Sequence, residues 1–220
     1  MLGTVLPHAA AIAASPLPVV AVILILMSPR ARTRGLVFLA GWFLGVVVAT
    51  GFFAWLREVL PSTDSTPAGT IIRVMQILVG VGLLWLGWRQ WRTRPAPGAT
   101  PTTPPWMNRV DTLPAVTTGA LAFALSAVTP KNLLVAASAG TELGTLDAAS
   151  PELWVAVALF AMLASVTVLI PVLLVIVAPS PSRRALTRIR DWLTANSAVI
   201  MTALFLLVGA HIIITGISAL

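Results

Sequence analysis

Apolar residues run in long blocks along this chain. Short segments carrying arginines or acids separate the blocks. Six blocks reach the roughly 20 apolar residues that a membrane-spanning helix needs. They cover residues 8–28, 35–56, 70–88, 113–139, 153–178 and 196–218. No Lys or Arg precedes the first block and its arginines follow it, so it is expected to be a span and not a cleavable leader.

The polar segments alternate in sign. Arg30, Arg32 and Arg34 lie between spans one and two. Arg89, Arg92, Arg94 and Arg109 lie between three and four, and Arg183, Arg184, Arg188 and Arg190 between five and six. The other connections hold Arg57 and Arg73 together with Glu58, Asp64, Glu142, Asp147 and Glu152. Arginine stays cytoplasmic, so the three basic connections are expected inside the plasma (inner) membrane and both termini outside. Capping of helix ends by arginine would not produce this alternation.

Composition agrees. Hydrophobic residues make up 58% and charged residues 10%, against roughly 25% charged in soluble domains. Too few charges remain to cover a water-facing surface. The absence of cysteine removes disulfides, thiolate metal sites and thiol redox chemistry. The pI near 11.8 does not point to nucleic acid, because the arginines cluster at the ends of apolar blocks. With only His8 and His211, both placed near the outer surface, no metal site is expected, nor any other cofactor.

Two connections have their own character. Residues 92–112 contain Pro95, Pro97, Pro101, Pro104 and Pro105, which describes an extended cytoplasmic linker. The chain then divides into a first half at 1–91 and a second at 113–220. At 100° per residue, Ala185, Leu186, Ile189, Trp192 and Leu193 share a face opposite Arg183, Arg184, Arg188 and Arg190. An amphipathic helix over about 182–195, lying in the interface near anionic headgroups, is expected there. Trp42, Trp55, Trp85, Trp88, Trp91, Trp154 and Trp192 are expected mostly near the interfaces. Gly41 and Gly45 form a G-x-x-x-G pair that permits close helix approach, either within the chain or between copies.

The halves are weakly alike. Ser15-Pro16-Leu17-Pro18-Val19-Val20 in the first span parallels Thr129-Pro130-Lys131-Asn132-Leu133-Leu134 in the fourth. Each half has three spans, so the halves cross the membrane in opposite senses, the pattern of inverted-repeat transporters. The expected architecture is an all-α membrane protein of six helices in two inverted three-helix repeats, the first helix of each broken. Proline removes a backbone donor and crowds the carbonyl four residues before it. The freed groups must be satisfied by protein or by a water-lined cavity. Pro171 in span five has no equivalent and is expected to kink its helix. Ser165 and Thr167 are expected to hydrogen-bond between helices.

Lys131 is the chain's only lysine and lies deep in a span. A charge there costs about 2.5–3.5 kcal/mol on the insertion scale, and no acid lies at similar depth. It is either a neutral amine in a dry site, an ammonium facing an anion in a hydrated cavity, or a cation snorkelling to an interface. Asn132 beside it both donates and accepts. Ser15 and Thr129 are placed to satisfy freed carbonyls.

The run Ser15–Leu24, the segment Gly35–Trp42 and Pro130-Lys131-Asn132-Leu133-Leu134 together resemble the GAP family. These are glycolipid-addressing proteins of actinobacteria, including the sulfolipid- and glycopeptidolipid-addressing proteins, placed in the lysine-exporter superfamily. The resemblance implies two inverted three-helix repeats and a role in moving glycolipids out of the inner membrane. It assigns Pro16 and Pro18 to one broken helix, and Pro130, Lys131 and Asn132 to the other; together with Ser15 and Thr129 these are the expected substrate-binding set. The chain lacks the intramembrane acids that would hold an amino-acid ammonium, so an anionic lipid headgroup suits Lys131 better. The alternatives are a small-solute exporter of the lysine-exporter kind and an accessory subunit of a larger lipid exporter. Homo-oligomerisation is compatible with all three. The chain carries no Walker-type phosphate loop. A catalytic role is not expected, because the only dyad would pair a serine with Lys131.

Overall fold

The computed structural model describes residues 2–28, 30–59, 67–94 and 113–218. Among them are nine α-helices and no strand. These are α1 (Leu2–Ala13), α2 (Pro16–Leu26), α3 (Ala31–Val59), α4 (Pro67–Arg92), α5 (Ala115–Ala127), α6 (Pro130–Leu143), α7 (Pro151–Ala164), α8 (Val166–Val177) and α9 (Pro179–Ser218). Residues 95–112, most of the expected linker, lie outside the described residues.

Two helices contain stretches long and apolar enough to cross a membrane, Ala31–Arg57 and Arg184–Ile217. Three bent pairs also qualify if each counts as one span. They are α1 with α2 at 48°, α5 with α6 at 62°, and α7 with α8 at 66°. The candidate spans therefore number two to five by length and composition. Helix α4 covers the expected third block but is not among them.

The first two breaks share one cause. Ser15 (φ −68°, ψ 114°) and Thr129 (φ −60°, ψ 125°) are extended, and each precedes a proline that opens the next helix. Proline disfavours the helical conformation in the residue before it and fits the first helical turn itself. The third break differs from expectation. Span five turns at Ser165, upstream of Pro171, which lies inside α8. The Ser165 hydroxyl donates back to the Ala161 carbonyl at 2.6 Å, closing the end of α7. Proline crowds the carbonyl four residues before it, that of Thr167, and the break falls just ahead of that residue.

Helix α3 has two faces. Phe38, Trp42, Val46, Ala49 and Ala54 are buried, while Leu36, Ala40, Leu44, Val48 and Phe52 stand exposed at four-residue spacing. Apolar side chains presented outward in a continuous stripe are what a helix shows to lipid. Trp42 lies in the core and not at an interface, whereas Trp55, Trp85, Trp88, Trp91, Trp154 and Trp192 are exposed. Near the end of α4 the guanidinium groups of Arg89, Arg92 and Arg94 sit over Trp85, Trp88 and Trp91, at 5.7, 4.8 and 3.8 Å from the ring centroids.

Glycines set the closest approaches. A Cβ on Gly41 would strike the Gly119 carbonyl of α5, and one on Gly45 the Ser126 hydroxyl. The G-x-x-x-G pair therefore packs within the chain. Gly80 of α4 and Gly209 of α9 oppose each other, and a Cβ on either would lie 2.9 Å from the other's carbonyl.

The expected interfacial helix over 182–195 is not separate. It is the first part of α9, a continuous helix of 40 residues. At 1.5 Å per residue it is about 60 Å long, twice the hydrocarbon thickness. Of its expected apolar face, Leu186 is buried and Leu193 half-buried, while Ala185, Ile189 and Trp192 remain exposed.

Candidate functional site

The broken helices α1/α2 and α5/α6 are joined through side chains at their breaks. At the first break, Ala14 N–H bonds the Ala10 carbonyl and Ser15 N–H bonds that of Ile12. The carbonyl of Ala11, which Ser15 N–H would reach in a continuous helix, is thereby freed. It accepts from Lys131 Nζ at 2.6 Å. Lys131 Nζ donates also to Ser15 Oγ at 2.5 Å. Thr167 Oγ1 donates to the carbonyl of Ala13 at 2.6 Å. The freed carbonyls of the first half are thus capped by side chains of the second.

The second break is capped from within. Thr129 Oγ1 donates to the Leu125 carbonyl at 2.6 Å, and Asn132 Nδ2 donates to the same oxygen at 3.0 Å. Ser15 Oγ lies 3.5 Å from Asn132 Oδ1, the long end of a hydrogen bond, and closes the circuit. Lys131 is 5% exposed and Asn132 1% exposed. The lysine does not snorkel outward. No acid reaches it among the described residues, and neutral oxygens receive its protons.

Of the expected set, Ser15, Thr129, Lys131 and Asn132 meet in this network. Pro16 and Pro130 act through the backbone, by opening the helices that follow the two breaks, and Pro18 lies in the first turn of α2. Thr167 was expected to bond between helices, but its place at the first break was not legible from spacing. Ser165, expected to do the same, bonds within its own helix.

Lys131 and Ser15 are within hydrogen-bond reach of each other, as a Ser–Lys nucleophile pair requires. The hydrogen bonds run otherwise. The lysine donates to the serine and to Ala11, and the serine hydroxyl is turned towards Asn132.

A second polar cluster lies nearby. His8 of α1 is 3% exposed. Its Nε2 is 2.9 Å from Ser138 Oγ and 3.9 Å from Glu142 Oε1, both on α6. The His211 ring of α9 stands edge-on to it, with centroids 5.1 Å apart. A cavity of about 400 Å³ opens beside them, lined by Pro7, Ala11, Ala14, Leu204 and Leu207 as well as the two histidines. His8 and His211 were both expected near the outer surface, as interfacial residues. Only the fold brings them together.

The apolar outer faces, the three bent helix pairs and the buried polar circuit define an all-helical membrane protein built around broken helices. The family model for Sap, sulfolipid-1-addressing protein, matches residues 5–218. The chain belongs to this family. Comparison with curated proteins and with solved structures finds no match.

Proposed function

We propose that this protein translocates an anionic (glyco)lipid across the plasma membrane, using the joined helix breaks as its moving centre. The observation that carries this is Lys131, which holds the two breaks together through the Ala11 carbonyl and Ser15. Parting the breaks would expose a lysine, an asparagine and two hydroxyls to one polar headgroup, while acyl chains stay in lipid. The match to the sulfolipid-1-addressing family supports a lipid substrate bearing an anionic group.

In this proposal the chain has six spans, with α4 the third, and two inverted repeats of the lysine-exporter type. The packing supports it: α3 lies on α5, α7 lies on α1, and α4 pairs with α9. Exchanging the halves carries the first contact into the second and returns the third to itself. Both termini lie outside, and the protein is not an enzyme.

The test compares surface lipids in the native host among a deletion strain, a wild-type complement and a Lys131→Met complement. Loss of one surface glycolipid on deletion, restored by wild type and not by Lys131→Met, is the expected result. Unchanged lipids on deletion would favour small-solute export. Full rescue by Lys131→Met would favour an accessory role beside a larger lipid exporter.

A further inference from the structure

His8, Glu142 and His211 come from three helices that are distant in sequence. One ligand atom from each can be chosen so that all lie within 4.8 Å of one another. We propose that these three side chains form a binding site for a divalent transition-metal ion of the zinc type.

Two imidazoles and one carboxylate are a common donor set for Zn²⁺, bound at about 2.0–2.2 Å. Ligand atoms around such an ion lie roughly 3.3–3.5 Å apart, as its bond lengths and tetrahedral angle require. His8 Nε2 and Glu142 Oε1 are already at 3.9 Å. His211 is exposed and the Glu142 side chain is partly so, which leaves both free to close the remaining distance.

Two further observations point to a ligand. Glu142 Oε2 is buried and makes no hydrogen bond among the described residues. A buried carboxylate oxygen without a donor is costly, and a cation would relieve it. Both histidines also border open space, since each lines the adjoining cavity.

The site's position suggests what the metal does. It would tie the N-terminal half of the first broken helix to α6 and α9. His211 lies about 30 Å along α9 from Arg190. On the proposed topology, this is the outer end of the bundle. A bound ion would hold that end shut while leaving the Lys131 network untouched.

The experiment uses full-length protein without a histidine tag, reconstituted in lipid nanodiscs and dialysed against micromolar Zn²⁺. The expected result is one Zn²⁺ per chain. Affinity should fall at least tenfold in both His211→Ala and Glu142→Gln. Because His211 is exposed, its variant should keep the metal-free unfolding midpoint. Co²⁺ substitution should give the intense visible absorption of four-coordinate nitrogen and oxygen ligation. Equal binding by wild type and His211→Ala would overturn the site, as would full affinity in Glu142→Gln or a Co²⁺ spectrum matching the aqueous ion. These measurements do not depend on any lipid substrate, so the metal site and the lipid role stand or fall separately.

Discussion

Replacing Lys131 by methionine keeps the length of the side chain and removes its donors. In the folded protein this deletes the bonds to the Ala11 carbonyl at 2.6 Å and to Ser15 Oγ at 2.5 Å. Ser15 keeps Asn132 as a partner, but the Ala11 carbonyl is left bare next to a proline break. Interhelical hydrogen bonds in membranes average about 0.6 kcal/mol and reach about 1.7. A buried acceptor left unsatisfied costs about 1–3 kcal/mol. Together these give a loss of about 1–3 kcal/mol. Removing the lysine also removes the cost of holding it in the membrane. That gain largely cancels, because the inserted but unpacked helices carry the same residue at the same depth. Unfolding of wild type and variant in mixed micelles measures the difference. On the scaling for chains of this length, the midpoint should fall by roughly 2–12 °C. A variant within about 0.5 kcal/mol of wild type, below the range expected here, would refute the bridging role assigned to Lys131.

Gly41→Ala should destabilise by about 1–3 kcal/mol, because its methyl would strike the Gly119 carbonyl; thermal unfolding reads this, and an unchanged monomer–dimer balance in cross-linking would confirm packing within one chain. Thr167→Val, near-isosteric, should lose about 0.6–1.7 kcal/mol by removing the cap on the Ala13 carbonyl, and a thermally neutral variant would mean that carbonyl has another donor. Ser15→Ala removes one of the hydroxyls proposed to meet the headgroup and a partner of Lys131, so it should lower lipid export and, slightly, stability; export equal to wild type would take Ser15 out of the binding set. A periplasm-active reporter fused at Leu220 should be active, and a cytoplasmic signal would reverse the proposed topology.

The breaks at Pro16 and Pro130 were legible because proline acts locally. It lacks an N–H wherever it sits, and it biases the residue before it towards an extended backbone. The outward faces were legible for a similar reason, since lipid selects apolar side chains along a helix without regard to its neighbours. The third break was not foreseen, because the local signal at Pro171 places a kink, whereas the bend sits at Ser165, where a hydroxyl bonds back to its own helix. The 182–195 segment shows an amphipathic period, but periodicity cannot tell a separate interfacial helix from the start of a longer one.

What the sequence determined by itself was an all-helical, lipid-facing chain, its interrupted first and fourth blocks, and the presence of one deep lysine. These follow from the composition of short windows, where a residue's own chemistry decides. Tertiary structure alone decided what each polar group meets. Lys131 finds Ala11 across 120 positions and Thr167 finds Ala13 across 154. His8 meets Glu142 and His211, which sequence spacing keeps far apart. Such contacts depend on how the helices pack, and packing is set by small residues such as Gly41, Gly45, Gly80 and Gly209, whose partners no local pattern names.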